Sequence, residues 1–400
     1  MKVLFITNLF PYSENQTSGI FITNRLKALK TFDTAFEAYG IISKDTLGVK
    51  ILRGVLRRKG TVIRDSYCDI NGIKYNYVSF NRNLLDIFFD KVFKRKNYSK
   101  YIEELASQIY KETEKEKFDI IHAHGMYNPP AGLVAKVLSE DLRISYVVTC
   151  HGSDINLAMP YAKELYNKVL EKANKVIFVS NALLNKARLY GYSGNNAVVI
   201  PNGIEPGIFK PLDKEKIKKE LNLSKKVVGF VGGLKRVKRA DKFPEIFENI
   251  SSVYDIDFLV VGDGELKKEI ESECKRRNLR VKFVGQVSQD RVAYYMNAMD
   301  VMMLPSRNEG FPTVVNEAQA CGVPVVGSSN GGIPEAIGDG GIVVEEGENF
   351  ERRFAEAVIN LLENPIDANY LRKKALEYFW ESIVEKEVNV YKEALSDFGV

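Results

Sequence analysis

Short apolar runs that close on glycine or proline recur along this 400-residue chain, with helix-patterned stretches between several of them. Residues 2–7, 34–42, 119–122, 145–150, 175–179 and 197–200 read as strands of the first half. Residues 226–231, 256–261, 281–284, 301–304 and 323–327 repeat the scheme in the second. Strands buried on both faces lack polar alternation, and strands alternating with helices pair in parallel, so the pattern predicts doubly wound α/β sheets. One hydrophobic core stops growing at about 250–300 residues, so this length calls for two domains. Pro201-Asn-Gly203 and Pro211 punctuate the chain between the two series. The predicted domains are 1–203 and 204–376, followed by a helix over 377–400 that carries the only Trp, Trp380.

Composition narrows the possible classes. The four cysteines, Cys68, Cys150, Cys274 and Cys321, show no paired metal-ligand spacing and sit in apolar or strand-like contexts. They read as buried free thiols in a reducing cytoplasm. The opening MKVLFITNLFP reads as a first strand, because Thr7 and Asn8 interrupt it and no basic leader with a small-residue cleavage site is present. No apolar run approaches the ~20 residues of a membrane span. Net charge is +5 but uneven: residues 1–200 hold 29 Lys and Arg against 19 Asp and Glu, and residues 201–400 hold 28 against 33. Within the first half, residues 50–100 carry 13 basic and 4 acidic side chains. An anionic partner is expected there, whether nucleic acid, acidic lipid or a phosphorylated acceptor.

The densest chemistry lies in the second half. Glu309-Gly310-Phe311-Pro312-Thr313 leads to Glu317, with Ala320-Cys-Gly-Val-Pro-Val-Val following. Residues 305–312 read as a loop after a strand, with Pro312 suited to the first turn of a helix ending near Gly322. Glu309 is placed in the loop and Glu317 about one turn into the helix, at the carboxyl edge where open α/β sheets bind ligands. Earlier, strand 226–231 runs into Gly232-Gly233-Leu-Lys235-Arg236-Val-Lys238-Arg239, a glycine turn with clustered cations. Gly262-Asp-Gly264 and Gly331-Gly332-Ile-Pro-Glu335 open two more strand-to-helix turns, where glycine lets a ligand approach the backbone. The dinucleotide fingerprint G-x-G-x-x-G does not follow a first strand, which disfavours a nicotinamide or flavin dehydrogenase.

The first half contributes the loop Asn8-Leu-Phe-Pro11 to Thr17-Ser18-Gly19-Ile-Phe21 and all three histidines. His122 and His124 lie in Asp119-Ile-Ile-His-Ala-His-Gly125, without the further spacing that a zinc site uses. His151, in Thr149-Cys-His-Gly-Ser-Asp154, follows an apolar strand and precedes glycine, which places it at a sheet's carboxyl edge.

Taken together, these segments resemble the glycosyltransferase family 4 enzymes, the group 1 glycosyl transferases of GT-B fold. The resemblance spans nearly the whole chain. It implies two Rossmann-like domains facing a central cleft, a C-terminal helix returning to the first domain, and retaining transfer from a nucleotide-diphosphate sugar to an acceptor hydroxyl. It further implies that Glu309 faces the donor-sugar hydroxyls, Glu317 binds the ribose, and Lys238 neutralises the diphosphate. His151 would contact the sugar near the reacting carbon, while Gly331 and Gly332 lie by sugar and phosphates. The N-terminal loop with Ser18 and Gly19 would contact donor phosphate and acceptor. Gly233 stands where the family usually has Arg, so the second diphosphate cation is open among Lys235, Arg236 and Arg239. Gly262 and Gly264 fall in a donor-side loop. No Asp-x-Asp metal site is evident in a strand-end loop, so no metal and no cofactor are expected beyond the donor substrate.

Two other classes fit parts of the pattern. A GT-B nucleotide-sugar epimerase would alter the donor without an acceptor. A nucleic-acid binder would use the basic segment, which lacks a recognised nucleic-acid module, so no specific nucleic acid is expected. Within that segment, residues 83–96 carry apolar residues at 85, 88, 89, 92 and 93 and then Lys94-Arg-Lys96. This stripe reads either as a core helix with a solvated tail or as a helix lying on an anionic membrane. The second reading brings a lipid-linked acceptor for polysaccharide or glycolipid assembly, and a cytoplasmic enzyme peripheral to the membrane's inner face.

Overall fold

The computed structural model describes residues 1–10, 19–55, 66–84, 99–127 and 130–396. Ser18 and nearly all of the 83–96 stripe lie outside them. The chain forms two units, Met1–Pro201 with Ile383–Val400, and Asn202–Ser382.

In the first unit the strands are β1 Lys2–Thr7, β2 Ala35–Asp45, β3 Tyr67–Ile70, β4 Ile73–Arg82, β5 Ile120–His124, β6 Ser145–Cys150, β7 Lys175–Phe178 and β8 Ala197–Val199. They lie in the order β3-β4-β2-β1-β5-β6-β7-β8. Every residue of β5 and β6 is buried, which is why both read as continuous runs. All pairs are parallel except β3 with β4. That hairpin falls inside the basic segment and was not among the strands expected from the sequence. Its turn is Asn71-Gly72, both at positive φ (56° and 77°), as a two-residue hairpin turn requires.

In the second unit β9 Lys226–Val231, β10 Ile256–Val261, β11 Val281–Gly285, β12 Val301–Leu304, β13 Val325–Ser328 and β14 Gly341–Val344 form an all-parallel sheet in the order β11-β10-β9-β12-β13-β14. β13 starts two residues later than the pattern suggested, because Pro324 has no N–H to give to the ladder. β14 is a further strand that the sequence did not signal. Winding reverses between β9 and β12, so the loops leaving these two strands flank the topological switch point. Beneath them, Phe230, Phe243, Phe247 and Phe258 form a run of ring contacts, edge-to-face, tilted and stacked in turn, with centroids 4.1–5.8 Å apart.

The C-terminal helix, Trp380–Ser396, begins in the second unit, where Trp380 covers Gly203, and from Ile383 onward belongs to the first. Ile383, Val384, Tyr391 and Ala394 on it are fully buried, and Ser145 Oγ donates to the Ala394 carbonyl at 3.1 Å. All four cysteines are free. Burial pushes the Cys274 and Cys321 thiols up to about 12, so neither is a reactive thiolate. Among the described residues no helix is long and apolar enough to cross a membrane.

Candidate functional site

The loops at the carboxyl edge of the second sheet are zipped to one another by backbone contacts. Gly232 N–H donates to Val261 O at 2.9 Å, Leu234 N–H to Asp263 O at 2.9 Å, and Gly262 N–H to Gly285 O at 2.8 Å. A Cβ on Gly262 would stand 2.0 Å from Gly232 O, and one on Gly264 2.4 Å from Leu234 O. The close approach that these glycines permit is thus by the neighbouring loop, which aligns the exits of β9 and β10.

Lys238 closes a short turn, Arg236–Lys238, after β9. Its Nζ donates to Glu309 Oε1 in the loop after β12, so the two expected residues meet at the switch point. Glu309 is held from behind by the next loop. Gly332 N–H donates to Glu309 O at 3.1 Å, and Gly331, at φ 58°, leaves room for that carbonyl only because it has no Cβ, which would stand 2.1 Å away. Pro312 caps the helix Thr313–Ala320, and Phe311 stacks on Tyr378 at 5.8 Å. One turn along, Glu317 is partly buried, its carboxylate has no hydrogen-bond partner among the described residues, and burial pushes its pKa up to about 7.

Of the cations beside Lys238, Arg239 is already engaged. Its Nη2 donates to both Glu346 oxygens at 2.6 and 2.7 Å, and its guanidinium lies 3.7 Å over the Phe350 ring. Glu346 Oε1 also accepts from Asn330 Nδ2 at 2.6 Å. One carboxylate therefore ties the neighbour of Lys238 to the neighbour of Gly331. Lys235 and Arg236 are exposed. Lys235 Cε is 3.7 Å from the point where a Cβ on Gly233 would stand, so it covers the place left by the missing side chain. Arg307, after β12, pairs with Asp241 at 2.8 and 3.0 Å, its backbone N–H donates to Val237 O at 2.7 Å, and this fastens the Lys238 turn to the Glu309 loop.

The first unit gathers the three histidines at the ends of β5 and β6. Gly19 caps the helix Ile20–Leu29 and lies against the backbone of Leu9. Phe21 on that helix packs on His151 at 5.0 Å. His122 and His124 are fully buried, with ring centroids 4.1 Å apart. His122 bonds Tyr391 Oη at 2.6 Å and Thr149 Oγ1 at 2.7 Å. Asp154 fixes the backbone under His151, its oxygens accepting the N–H groups of His151 at 3.0 Å and Gly152 at 2.8 Å. Burial first, then the Arg25 cation and, for His122 and His124, a neighbouring imidazole, hold all three imidazoles well below their ordinary range, so they are neutral at physiological pH. Among the described residues no group of three or more His, Cys, Asp or Glu side chains is arranged to hold a metal ion.

The family profile for glycosyl transferases group 1 matches residues 213–378, and that for glycosyltransferase family 4 matches residues 76–207. The N-acetyl-alpha-D-glucosaminyl L-malate synthase of Bacillus anthracis is 30% identical over 315 residues, covering 75% of this chain and 81% of that one. The chain belongs to the group 1 glycosyltransferases. A glycosyltransferase of Bacillus subtilis named for teichuronic acid biosynthesis is 29% identical over 347 residues, 84% of this chain and 83% of its own. HepE of Anabaena, solved in complex with UDP, superposes with a TM-score of 0.70 at 18% identity, covering 98% of this chain and all of that one, which shows the common fold.

Two pairings in this glycosyltransferase were not foreseen. One is Arg239 with Glu346. The other is Arg25 with Glu387, whose Nη1 and Oε1 are 3.2 Å apart with side chains 0% and 1% exposed. A signal for the second was present: Glu387 lies on the same helix face as Ile383, Val384, Val388 and Tyr391, and a charge on an apolar stripe needs a buried partner.

Proposed function

We propose that the chain transfers a sugar, with retention of configuration, from a nucleoside-diphosphate sugar to an acceptor hydroxyl in polysaccharide or glycolipid assembly. The observation that carries this reading is the Lys238–Glu309 pair at the switch point of the second sheet, locked from behind by Gly331 and Gly332. In the free protein each charge satisfies the other. On donor binding the diphosphate takes the ammonium and the sugar hydroxyls take the carboxylate, so neither charge is left unpaired. Transfer breaks the bond between the anomeric carbon and the diphosphate oxygen. The acceptor oxygen bonds to the same face of that carbon, and its proton passes to the departing diphosphate. Lys238 stabilises the charge that develops on the leaving group, with Lys235 or Arg236 as the second cation. Glu309 orients the sugar, Glu317 accepts from the ribose, and His151 contacts the sugar. Gly19 borders the donor phosphate and acceptor.

The Anabaena protein's complex with UDP supports a nucleotide donor, and the teichuronic acid biosynthesis in the Bacillus subtilis relative's name supports assembly of a polysaccharide. The basic 50–100 segment supports docking on an anionic membrane face inside the cell. Because protein cations neutralise the diphosphate, transfer is expected to persist in excess chelator. A thermal-shift screen of nucleoside diphosphates identifies the donor class, since a ligand of the folded state raises its stability. With that donor, Lys238→Ala and Glu309→Ala are each expected to lower turnover by at least about a hundredfold while the circular dichroism stays unchanged. Wild-type turnover by either variant, or conversion of the donor without any acceptor, sinks the assignment.

A further inference from the structure

We infer that the buried Arg25–Glu387 pair fixes the tautomers of His124 and His151, so that His151 presents an unprotonated Nδ1 as an acceptor for a substrate hydroxyl. The inference deepens the proposed function, resting on its reading that His151 meets the donor sugar.

The coupling starts at one nitrogen. Arg25 Nη1 lies 3.2 Å from Glu387 Oε1 and 3.2 Å from His124 Nδ1. A guanidinium has donors only, so His124 Nδ1 must meet it with its lone pair, and the ring proton of neutral His124 resides on Nε2. His151 Nε2 is also 3.2 Å from His124 Nδ1. Two lone pairs do not face each other at that distance, so His151 Nε2 carries its proton and donates. Neutral His151 then has its lone pair on Nδ1. That atom is buried and has no partner among the described residues.

The geometry leaves the His151 ring little freedom. Phe21 packs on it at 5.0 Å, the His124 ring lies edge to edge beside it with centroids 5.5 Å and planes 24° apart, and Asp154 pins its backbone. Glu387 keeps the Arg25 cation in this dry site, because an unpaired guanidinium there would carry the full desolvation penalty. With Arg25 gone, nothing prevents His124 Nδ1–H from donating to His151 Nε2. The proton of His151 then moves to Nδ1, and the acceptor becomes a donor. Arg25 and Glu387 are therefore positioning residues, acting on the substrate only through His124 and His151.

The chain has only three histidines, so selective nitrogen-15 labelling of histidine in the full protein yields three readable imidazole patterns. The expected spectrum at neutral pH shows His124 and His151 both protonated at Nε2 and bare at Nδ1, assigned by loss of one pattern in each of His124→Gln and His151→Gln. In Arg25→Met, checked for folding by circular dichroism, His151 is expected to acquire Nδ1–H, with turnover falling about tenfold, the value of one lost hydrogen bond. The wild-type spectrum alone is decisive if the variant does not fold: His151 protonated at Nδ1, or on both nitrogens, overturns the inference. A spectrum of the expected form together with full transfer by His151→Gln also overturns the substrate half of it. That second result leaves the Lys238 and Glu309 variants as the test of transferase function itself.

Discussion

At Gly331 one methyl group decides whether Glu309 keeps its place. An added Cβ would meet the Glu309 carbonyl at 2.1 Å in a backbone conformation, φ 58°, that already costs an L-residue about 1–2 kcal/mol. The neighbouring loop must move, and Glu309 with it. Gly331→Ala is therefore expected to leave the fold intact and to lower kcat/KM for the donor about a hundredfold, the scale of a misplacement near 1 Å. Steady-state kinetics beside circular dichroism checks both halves. Glu317 yields a prediction about pH. Burial raises its carboxyl to about 7, so the protonated form is the one the free unit favours, and the stability this gives is full below the ordinary carboxyl range and is lost as pH rises through about 7. Hydroxyls of a bound ribose donate to the ionised form. Nucleoside diphosphate should then bind more tightly as pH rises through about 7, releasing a proton when it binds below that point. Calorimetry in buffers of different ionisation enthalpy measures the release, and Glu317→Gln should abolish it; equal proton release by that variant removes the assigned role.

Among the elements, those buried on both faces were the legible ones. β1, β6, β9, β10 and β12 end where the sequence pattern ends them, because a central parallel strand admits no polar interruption. The β3–β4 hairpin at the sheet's edge was hidden by its half-exposed alternation: Ile73, Tyr75, Val78 and Phe80 are buried, but lysine, asparagine and aspartate stand among them and in β3, although Asn71-Gly72 is a strong turn signal. The site divided in the same way. Lys238, Glu309 and Gly331 lie in local motifs whose spacing is visible, whereas Arg25–Glu387 and Arg239–Glu346 are pairings across the fold that no local spacing encodes. Trp380 offers a test at this scale. Its ring lies 2.5 Å from where a Cβ on Gly203 would be, Trp380 N–H donates to Ile204 O at 3.3 Å, and Ile204 N–H donates to Tyr378 O at 2.8 Å. Gly203→Ala should cost about 1–3 kcal/mol through overpacking. As the only Trp, Trp380 reports the change directly, so a lower denaturation midpoint in its fluorescence is expected, and an unchanged midpoint refutes the packing argument.

For the whole molecule, the chain's last helix completes a core begun almost four hundred residues earlier. Ending the protein at Ser382 would uncover the sites of Ile383, Val384, Tyr391 and Ala394, all fully buried. It would also strand Arg25 without Glu387 and leave His122 without Tyr391 Oη. Removing one partner of a buried ion pair alone costs about 3–5 kcal/mol, comparable to the margin by which a domain is stable. The second unit loses nothing of this kind, because Asn202–Ser382 retains its own sheet, its run of phenylalanine contacts and the Lys238–Glu309 pair. The truncated chain should therefore behave asymmetrically. Limited proteolysis followed by mass analysis is expected to degrade residues 1–201 and to spare a fragment from the second unit. That fragment should still gain thermal stability from the nucleoside diphosphate that stabilises the full chain. If the first unit of the truncated chain resists protease as the full chain does, the last helix is an accessory and the buried network is not what holds it. If instead the second unit is digested as well, its independence is refuted, and the donor site depends on the first unit for its folding.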